Sequence, residues 1–262
     1  MTREPLPDAD LRLAGEWLAR HDLTAARPTP LLASRLAARR RARIAAHAIL
    51  AVLIIAGALA GVTFGFQPGR PLPLLALTAL VAGLLLAQSL LDGWVRRVDR
   101  RAGATLSRRA AHLVQPGWRA VLGRPYAIFA AATFAGAMAL AGSALAVPDD
   151  TVRQLAVVLL IGLLGATAVL ALQLRHLLRR PVVAEDEDSL TADVIMRVED
   201  ARELVVPSVQ WTLPMVLLFG TAPAWWSAAA VAYLLLGLAV VVLLQARTPS
   251  SAAVARRAMG AR

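Results

Sequence analysis

Between Arg35 and Phe66, five arginines (Arg35, Arg39, Arg40, Arg41 and Arg43) run directly into the 23 residues from Ile44 to Phe66, which carry no formal charge. A helix needs roughly 20 apolar residues to cross a bilayer core of about 30 Å, and clustered arginines stay on the cytoplasmic side. The stretch is therefore predicted to be a membrane-spanning helix with its cytoplasmic end marked. Five further segments of the same kind follow, each bounded by proline, arginine or both. The fold class expected is an all-α polytopic membrane protein with spans at 44–66, 74–95, 126–147, 154–174, 206–222 and 225–245. A hydrophobic content of 58% and a mean hydropathy of +0.61 agree, since both exceed those of ordinary soluble domains.

The six transmembrane helices pair into three hairpins. Their short connections (67–73, 148–153 and 223–224) hold only Arg70 and Arg153, whereas the other segments hold the remaining 26 of 28 basic residues, all arginine. By the positive-inside rule both termini are cytoplasmic and the protein sits in the cytoplasmic membrane. The chain divides into a cytoplasmic N-terminal helical segment (1–43), a transmembrane domain (44–245) with cytoplasmic loops 96–125 and 175–205, and a basic cytoplasmic tail (246–262). This distribution explains the net charge of +11 through membrane lipid, so nucleic acid is not expected as a partner. With no cysteine there are no disulfides or thiolate sites, and the polar first 40 residues lack the apolar core of a signal peptide.

Two cytoplasmic helices are predicted. In the N-terminal segment, Asp8 and Asp10 cap a short helix with Leu11, Ala14, Trp17 and Leu18 on one face, expected to rest on the bilayer interface or neighbouring loops. Thr29-Pro30 then starts a helix that continues into the membrane. In segment 175–205, the acidic run Glu185 to Asp188 precedes Ser189, which suits a helix start. Leu190, Val194, Val198, Ala201 and Val205 share one face of that helix, opposite Asp193, Glu199, Asp200 and Glu203. An acidic face wants a basic neighbour, either the arginine-rich loop 96–124 or a cytoplasmic protein partner.

Within the spans, small residues recur at every fourth position: Gly57, Gly61 and Gly65 in the first, Ala79, Gly83 and Ala87 in the second, and Ala135, Ala139 and Ser143 in the third. Such stripes let backbones approach in lipid, within one bundle or between copies in a homo-oligomer. Pro207 and Pro214 make the fifth span the expected hinge. A weak repeat, FGxxP at Phe64 and again at Phe219, accompanies Gln88, Gln173 and Gln245 near the inner ends of returning helices. No Asp, Glu or Arg lies deep in a span, which argues against a charged relay, and His47 is placed at the interface. The dispersed histidines His21, His47, His112 and His176 have no metal-ligand spacing, so no metal and no cofactor is expected.

Asp92-Gly93-Trp94-Val95-Arg96-Arg97 resembles part of the CDP-alcohol phosphotransferase motif, whose six-helix enzymes hold two divalent cations on four aspartates. Here Ser89, Ser107 and Ala111 stand where three of the four would be, and Asp92 is placed to pair with Arg96. Rhomboid-type proteolysis lacks its GxSG serine and its histidine in the sixth span. Three-hairpin carrier proteins are similar in repeat number, but their proline-acid-base signature is missing. The layout of an N-terminal cytoplasmic helix, six spans and cytoplasmic helices between hairpins resembles a permease half of an ABC-type exporter, where such helices dock on an ATPase. The expected function is a membrane subunit without catalytic residues, working with cytoplasmic partners in a transport context. The alternatives are a lipid-processing enzyme built on the degenerate aspartate motif and a regulatory scaffold.

Overall fold

The computed structural model describes residues 8–24, 26–64, 71–104, 117–180, 187–206, 218 and 222–260. Among these residues the fold is all-helical, with no strand. Helix α1 (Asp8–Arg20) carries Asp8 and Asp10 in its first turn, where carboxylates oppose the positive end of the helix dipole, and it buries Ala14, Trp17 and Leu18. It stops where Asp22 adopts left-handed backbone (φ 59°), which Asp tolerates better than most residues, and the Leu23 N–H turns back to the Leu18 carbonyl at 3.0 Å.

Thr29 caps helix α2 (Pro30–Phe64) by accepting from the Leu32 N–H at 3.2 Å, with Pro30 in the position where a missing N–H costs nothing. Its 35 residues span about 52 Å, well beyond a bilayer core. Helix α3 (Pro71–Ala104) likewise continues past the predicted span end at Val95 and carries Asp99 with it. After the single turn α4 (Trp118–Val121) come α5 (Arg124–Ala144) and α6 (Asp150–Arg179), the latter started by Asp149, which accepts from the Val152 N–H at 3.0 Å. Helices α7 (Glu187–Val205), α8 (Ala224–Arg247) and α9 (Ser251–Gly260) complete the described chain.

Helices α5, α6 and α8 are long and apolar enough to cross a membrane. Their outward side chains fit that role: Ile128, Ile161, Leu164, Leu235 and Leu236 are each more than half exposed, large apolar groups suited to lipid. Packing runs in a row, α2 on α3, α3 on α6, α6 on α5 and α5 on α8. At its centre Ala137, Ala141 and Ala144 of α5 meet Leu155, Leu159 and Leu163 of α6 and Trp226 of α8. Helices α5 and α8 are further tied by two donors seven residues apart. Trp226 Nε1 reaches the Leu140 carbonyl at 3.0 Å, and the Tyr233 hydroxyl reaches the Thr133 carbonyl at 2.6 Å.

The packing stripes differ from those predicted. In α5, Ala135 and Ala139 are exposed, and the buried stripe runs through Thr133, Ala137 and Ala141, two residues earlier and so about 200° around the helix. In α3, Ala79 and Gly83 are exposed and Ala87 is half-buried, and a Cβ on Gly83 would meet nothing within 4 Å. Close approach occurs instead at Gly136, where a Cβ would lie 2.9 Å from the Tyr233 ring, and at Gly165, 2.9 Å from Leu85 Cδ1. Gly57 and Gly61 fall within α2. Gly65, Pro207, Pro214 and most of the predicted fifth span lie outside the described residues.

A second layer is built around α7. On one side Ala192, Ile195 and Met196 pack with α1, the first turns of α2, and Ala252 and Ala255 of α9. On the other, Val198, Ala201 and Val205 pack with α4, the start of α5 and Leu177 near the end of α6. Elements near both ends of the described chain therefore share one layer at one end of the helix row. Enclosure on two sides buries every residue from Thr191 to Val198, so α7 has no free polar face along that stretch. Helix α1 likewise rests on α2, α7 and α9.

Candidate functional site

Where α7 faces α2, two helical stripes of opposite charge meet. Arg35, Arg39 and Arg43 recur every fourth residue on α2, while Asp193, Asp200 and Glu203 fall on a matching stripe of α7. Arg35 donates to Asp99 at 2.9 Å and to Asp193 at 2.5 Å. Arg39 donates to Asp99 at 2.9 Å and to Asp200 at 3.0 Å. Arg180, in extended backbone just past α6, joins Asp99 at 2.5 Å and Asp193 at 3.4 Å, and Arg197 reaches Asp193 at 3.2 Å. Arg35 and Asp193 are 1% and 0% exposed, so the Asp193 end of the cluster is closed to solvent, whereas Asp200 at the other end is partly exposed.

Electrostatics keep it ionised. Burial by itself would raise the carboxyl of Asp99, but the guanidinium fields of Arg39, Arg180 and Arg35 outweigh it and hold the group well below the ordinary carboxylate range. Asp193 is pulled down in the same way, against its burial, by Arg35, Arg180 and Arg197. Arg39 is raised because Asp200 and Asp99 outweigh its desolvation, whereas burial and the neighbouring Arg35 and Arg39 lower Arg180. Arg197 is the most poorly served member, since its Nε and Nη1 have no hydrogen-bond partner among the described residues, and Arg180 Nε is likewise unpartnered there.

The rim uses the remaining acids. Glu203 takes both Nε and Nη2 of Arg43, at 2.6 and 2.7 Å. Glu199 accepts from Trp17 Nε1 at 3.3 Å and pairs with His21 Nε2 at 2.8 Å, docking α1 on α7. Thus Asp193, Glu199, Asp200 and Glu203, expected to face either loop 96–124 or a partner protein, all meet groups of this chain, and Asp193 is fully buried. Among the described residues the basic surface comes from Arg35, Arg39, Arg43 and Arg180, and the described part of loop 96–124 contributes an acid, Asp99. Sequence reading took Arg35, Arg39 and Arg43 as topology markers and missed Asp99, Arg180 and Arg197. The available signal was the four-residue arginine spacing beside the Asp193/Asp200 heptad.

The His21–Glu199 pair gives stability a pH window. Burial lowers His21, but the Glu199 hydrogen bond and the Trp17 carbonyl outweigh it and raise it above 6.5, so its contribution is complete below that value and fades as pH climbs through the raised one. Glu199, desolvated but held down by His21, stands below 4.5, so its contribution is complete above that value and fades as pH falls through the lowered one. Glu199 is partly exposed, so solvent limits the pair to about 0.5–1 kcal/mol. The melting-temperature gap between parent and His21→Gln in detergent is expected to be about 2 °C between those two values and to narrow as pH climbs through the raised His21 value. A gap that widens with alkaline pH would refute the assignment.

Beside the cluster, the inner parts of α2, α3 and α6 and the end of α7 enclose a cavity of about 820 Å³. Asp92 lines it and pairs with Arg96 at 2.8 Å. Gln88 and Gln173, two of the glutamines noted near inner helix ends, line it too. Among the described residues no three His, Asp or Glu side chains are grouped to hold a metal. Comparison with known protein families, curated proteins and solved structures finds no match to this chain.

Proposed function

We propose that the chain is a six-span protein of the cytoplasmic membrane, both termini cytoplasmic, serving as a non-catalytic membrane subunit that works with a cytoplasmic protein partner in a transport context. Helices α2, α3, α5, α6 and α8 with segment 206–222 supply the six spans. The observation that carries the reading is mechanical continuity. Helices α2 and α3 run unbroken from the cavity wall to the buried cluster, α6 ends beside it at Arg180, and Arg35, Arg39, Asp99 and Arg180 fasten them to α7. A partner that tilts the α1–α7–α9 layer therefore moves the helices lining the cavity, as packed elements shift as units. A lipid-processing enzyme is the second reading, favoured by Asp92 facing the cavity.

Because the chain has no cysteine, single cysteines report topology directly. Gly69→Cys and Asp150→Cys should react with an impermeant thiol reagent on intact cells, and Ser107→Cys and Ser189→Cys should not. Labelling at Ser107→Cys would overturn the topology. Purification from the native host in mild detergent should retain a stoichiometric cytoplasmic protein with both parent and Asp92→Asn. Recovering none with the parent sinks the subunit reading, and loss of a lipid-converting activity in Asp92→Asn would establish the enzyme instead.

A further inference from the structure

We propose that the cavity between α2, α3 and α6 binds an anionic lipid with a terminal phosphate, with the headgroup against Arg100 and Arg179 and the acyl chain along Leu50, Leu91, Val169 and Leu170. The cavity has the polarity of such a molecule. Along α2 its lining passes from Leu50 through His47 to Arg43 and Arg39. Along α3 it passes from Gln88 and Leu91 to Arg96 and Arg100, and along α6 from Ala166 through Gln173 to Arg179 and Arg180. Helices α2 and α6 change from apolar through neutral polar to cationic in the same direction, toward the α7 layer, and α3 also becomes cationic toward that layer, with Gln88 at its far end and Asp92 between. The 14 residues from Ala166 to Arg179 rise about 20 Å, enough for a headgroup and the upper part of a chain.

The charge count selects the headgroup. Six arginines line the cavity against four carboxylates, Asp92, Asp99, Asp200 and Glu203. Each carboxylate is paired: Asp92 with Arg96, Asp99 with Arg39 and Arg180, Asp200 with Arg39, and Glu203 with Arg43. Arg100 and Arg179 are exposed and make no ion pair among the described residues, and His47 and His176 also line the cavity. Two unmatched guanidinium groups with imidazoles on the same lining suit a phosphate, whose oxygens accept from arginine in a planar, bidentate manner. A volume of about 820 Å³ lies within the usual range for small-molecule sites, and the apolar lower walls explain why a lipid, rather than a free anion, is the fitting occupant.

This inference rests on the six-span reading only for the depth of the cavity in the membrane, and binding in detergent tests it independently of topology and partner. The full chain, delipidated in a neutral detergent, is titrated with phosphatidic acid, with phosphatidylcholine of the same chains, and with inorganic phosphate, using native mass spectrometry and thermal shift. Saturable one-to-one binding of phosphatidic acid is expected, with phosphatidylcholine at least tenfold weaker and no displacement by millimolar phosphate. Arg100→Gln/Arg179→Gln should weaken phosphatidic acid binding on the order of a hundredfold, one decade for each charge-assisted contact, with an unchanged melting temperature in the absence of lipid. Leu170→Trp, which fills the apolar wall and leaves the charges, should weaken it as well. Equal binding of the two lipids, or unchanged affinity in both variants, overturns the site. Displacement of phosphatidic acid by equimolar inorganic phosphate overturns the lipid and identifies a free-anion site.

Discussion

Asp193→Arg should prevent the protein from accumulating in folded form, and Asp193→Asn should lower its melting temperature in detergent by on the order of 10 °C. Asp193 is completely buried and accepts from Arg35, Arg180 and Arg197. Among the described residues the cluster holds four arginines (Arg35, Arg39, Arg180, Arg197) against three aspartates (Asp99, Asp193, Asp200), a positive surplus. Removing one acid leaves guanidinium groups uncompensated in a dry site, at a cost of about 3–5 kcal/mol, and adding a fifth arginine costs more. The mirror substitution behaves differently. Arg197→Met removes two unpartnered donors and the surplus charge, leaves Asp193 with two arginines, and should be close to neutral. The exposed Asp150–Arg153 pair is the control, since Asp150→Asn there should change nothing measurable. Thermal shift on the four variants decides it, and an Asp193→Arg protein as stable as the parent would place Asp193 at the surface.

From the sequence alone, Asp193→Arg reads as a mild surface change. The acids of α7 fall opposite a clean apolar stripe, and a one-helix wheel leaves that side for loop 96–124 or a partner protein rather than for the interior. Burial on the second side is a tertiary fact. It depends on α2 bringing Arg35 and Arg39 across, and on α3 and α6 extending beyond their apolar segments far enough to deliver Asp99 and Arg180. Hydropathy marks where a span leaves lipid, not where its helix ends, so Asp99 was invisible as a site residue. Local features were legible because they are decided by adjacent residues. The Thr29-Pro30 start of α2 and the Ala14, Trp17 and Leu18 face of α1 each stand where their spacing puts them. The packing stripes were legible in kind but not in register. In an alanine-rich helix such as α5, Ala135/Ala139 and Ala137/Ala141 satisfy the same every-fourth rule, and only the neighbour chooses between them.

That choice of neighbour makes Gly136 the sensitive glycine. A Cβ there would stand 2.9 Å from Tyr233 Cε2, 3.5 Å from Cδ2 and 3.8 Å from Cζ, so it meets the side of a ring that cannot fold away. The ring is also held in place, because its hydroxyl donates to the Thr133 carbonyl at 2.6 Å. Gly136→Leu gains about 0.8 kcal/mol of helix propensity. Against this, overpacking costs about 1–3 kcal/mol, and driving Tyr233 off its acceptor costs about 1 kcal/mol more. The net loss is expected near 2 kcal/mol, seen as a lower melting temperature in detergent and loosened α5–α8 contact in cysteine cross-linking between the two helices. At Gly165 the obstructing atom is Leu85 Cδ1, the free end of a flexible side chain, so Gly165→Ala should cost less than Gly136→Ala. Gly83, with nothing within 4 Å, sets the other limit: Gly83→Leu should match or slightly exceed the parent, because only the propensity gain remains. If Gly83→Leu destabilises while Gly136→Leu does not, the helix row is packed on the wrong faces, and the stripe of Ala79, Gly83 and Ala87 is where close approach takes place.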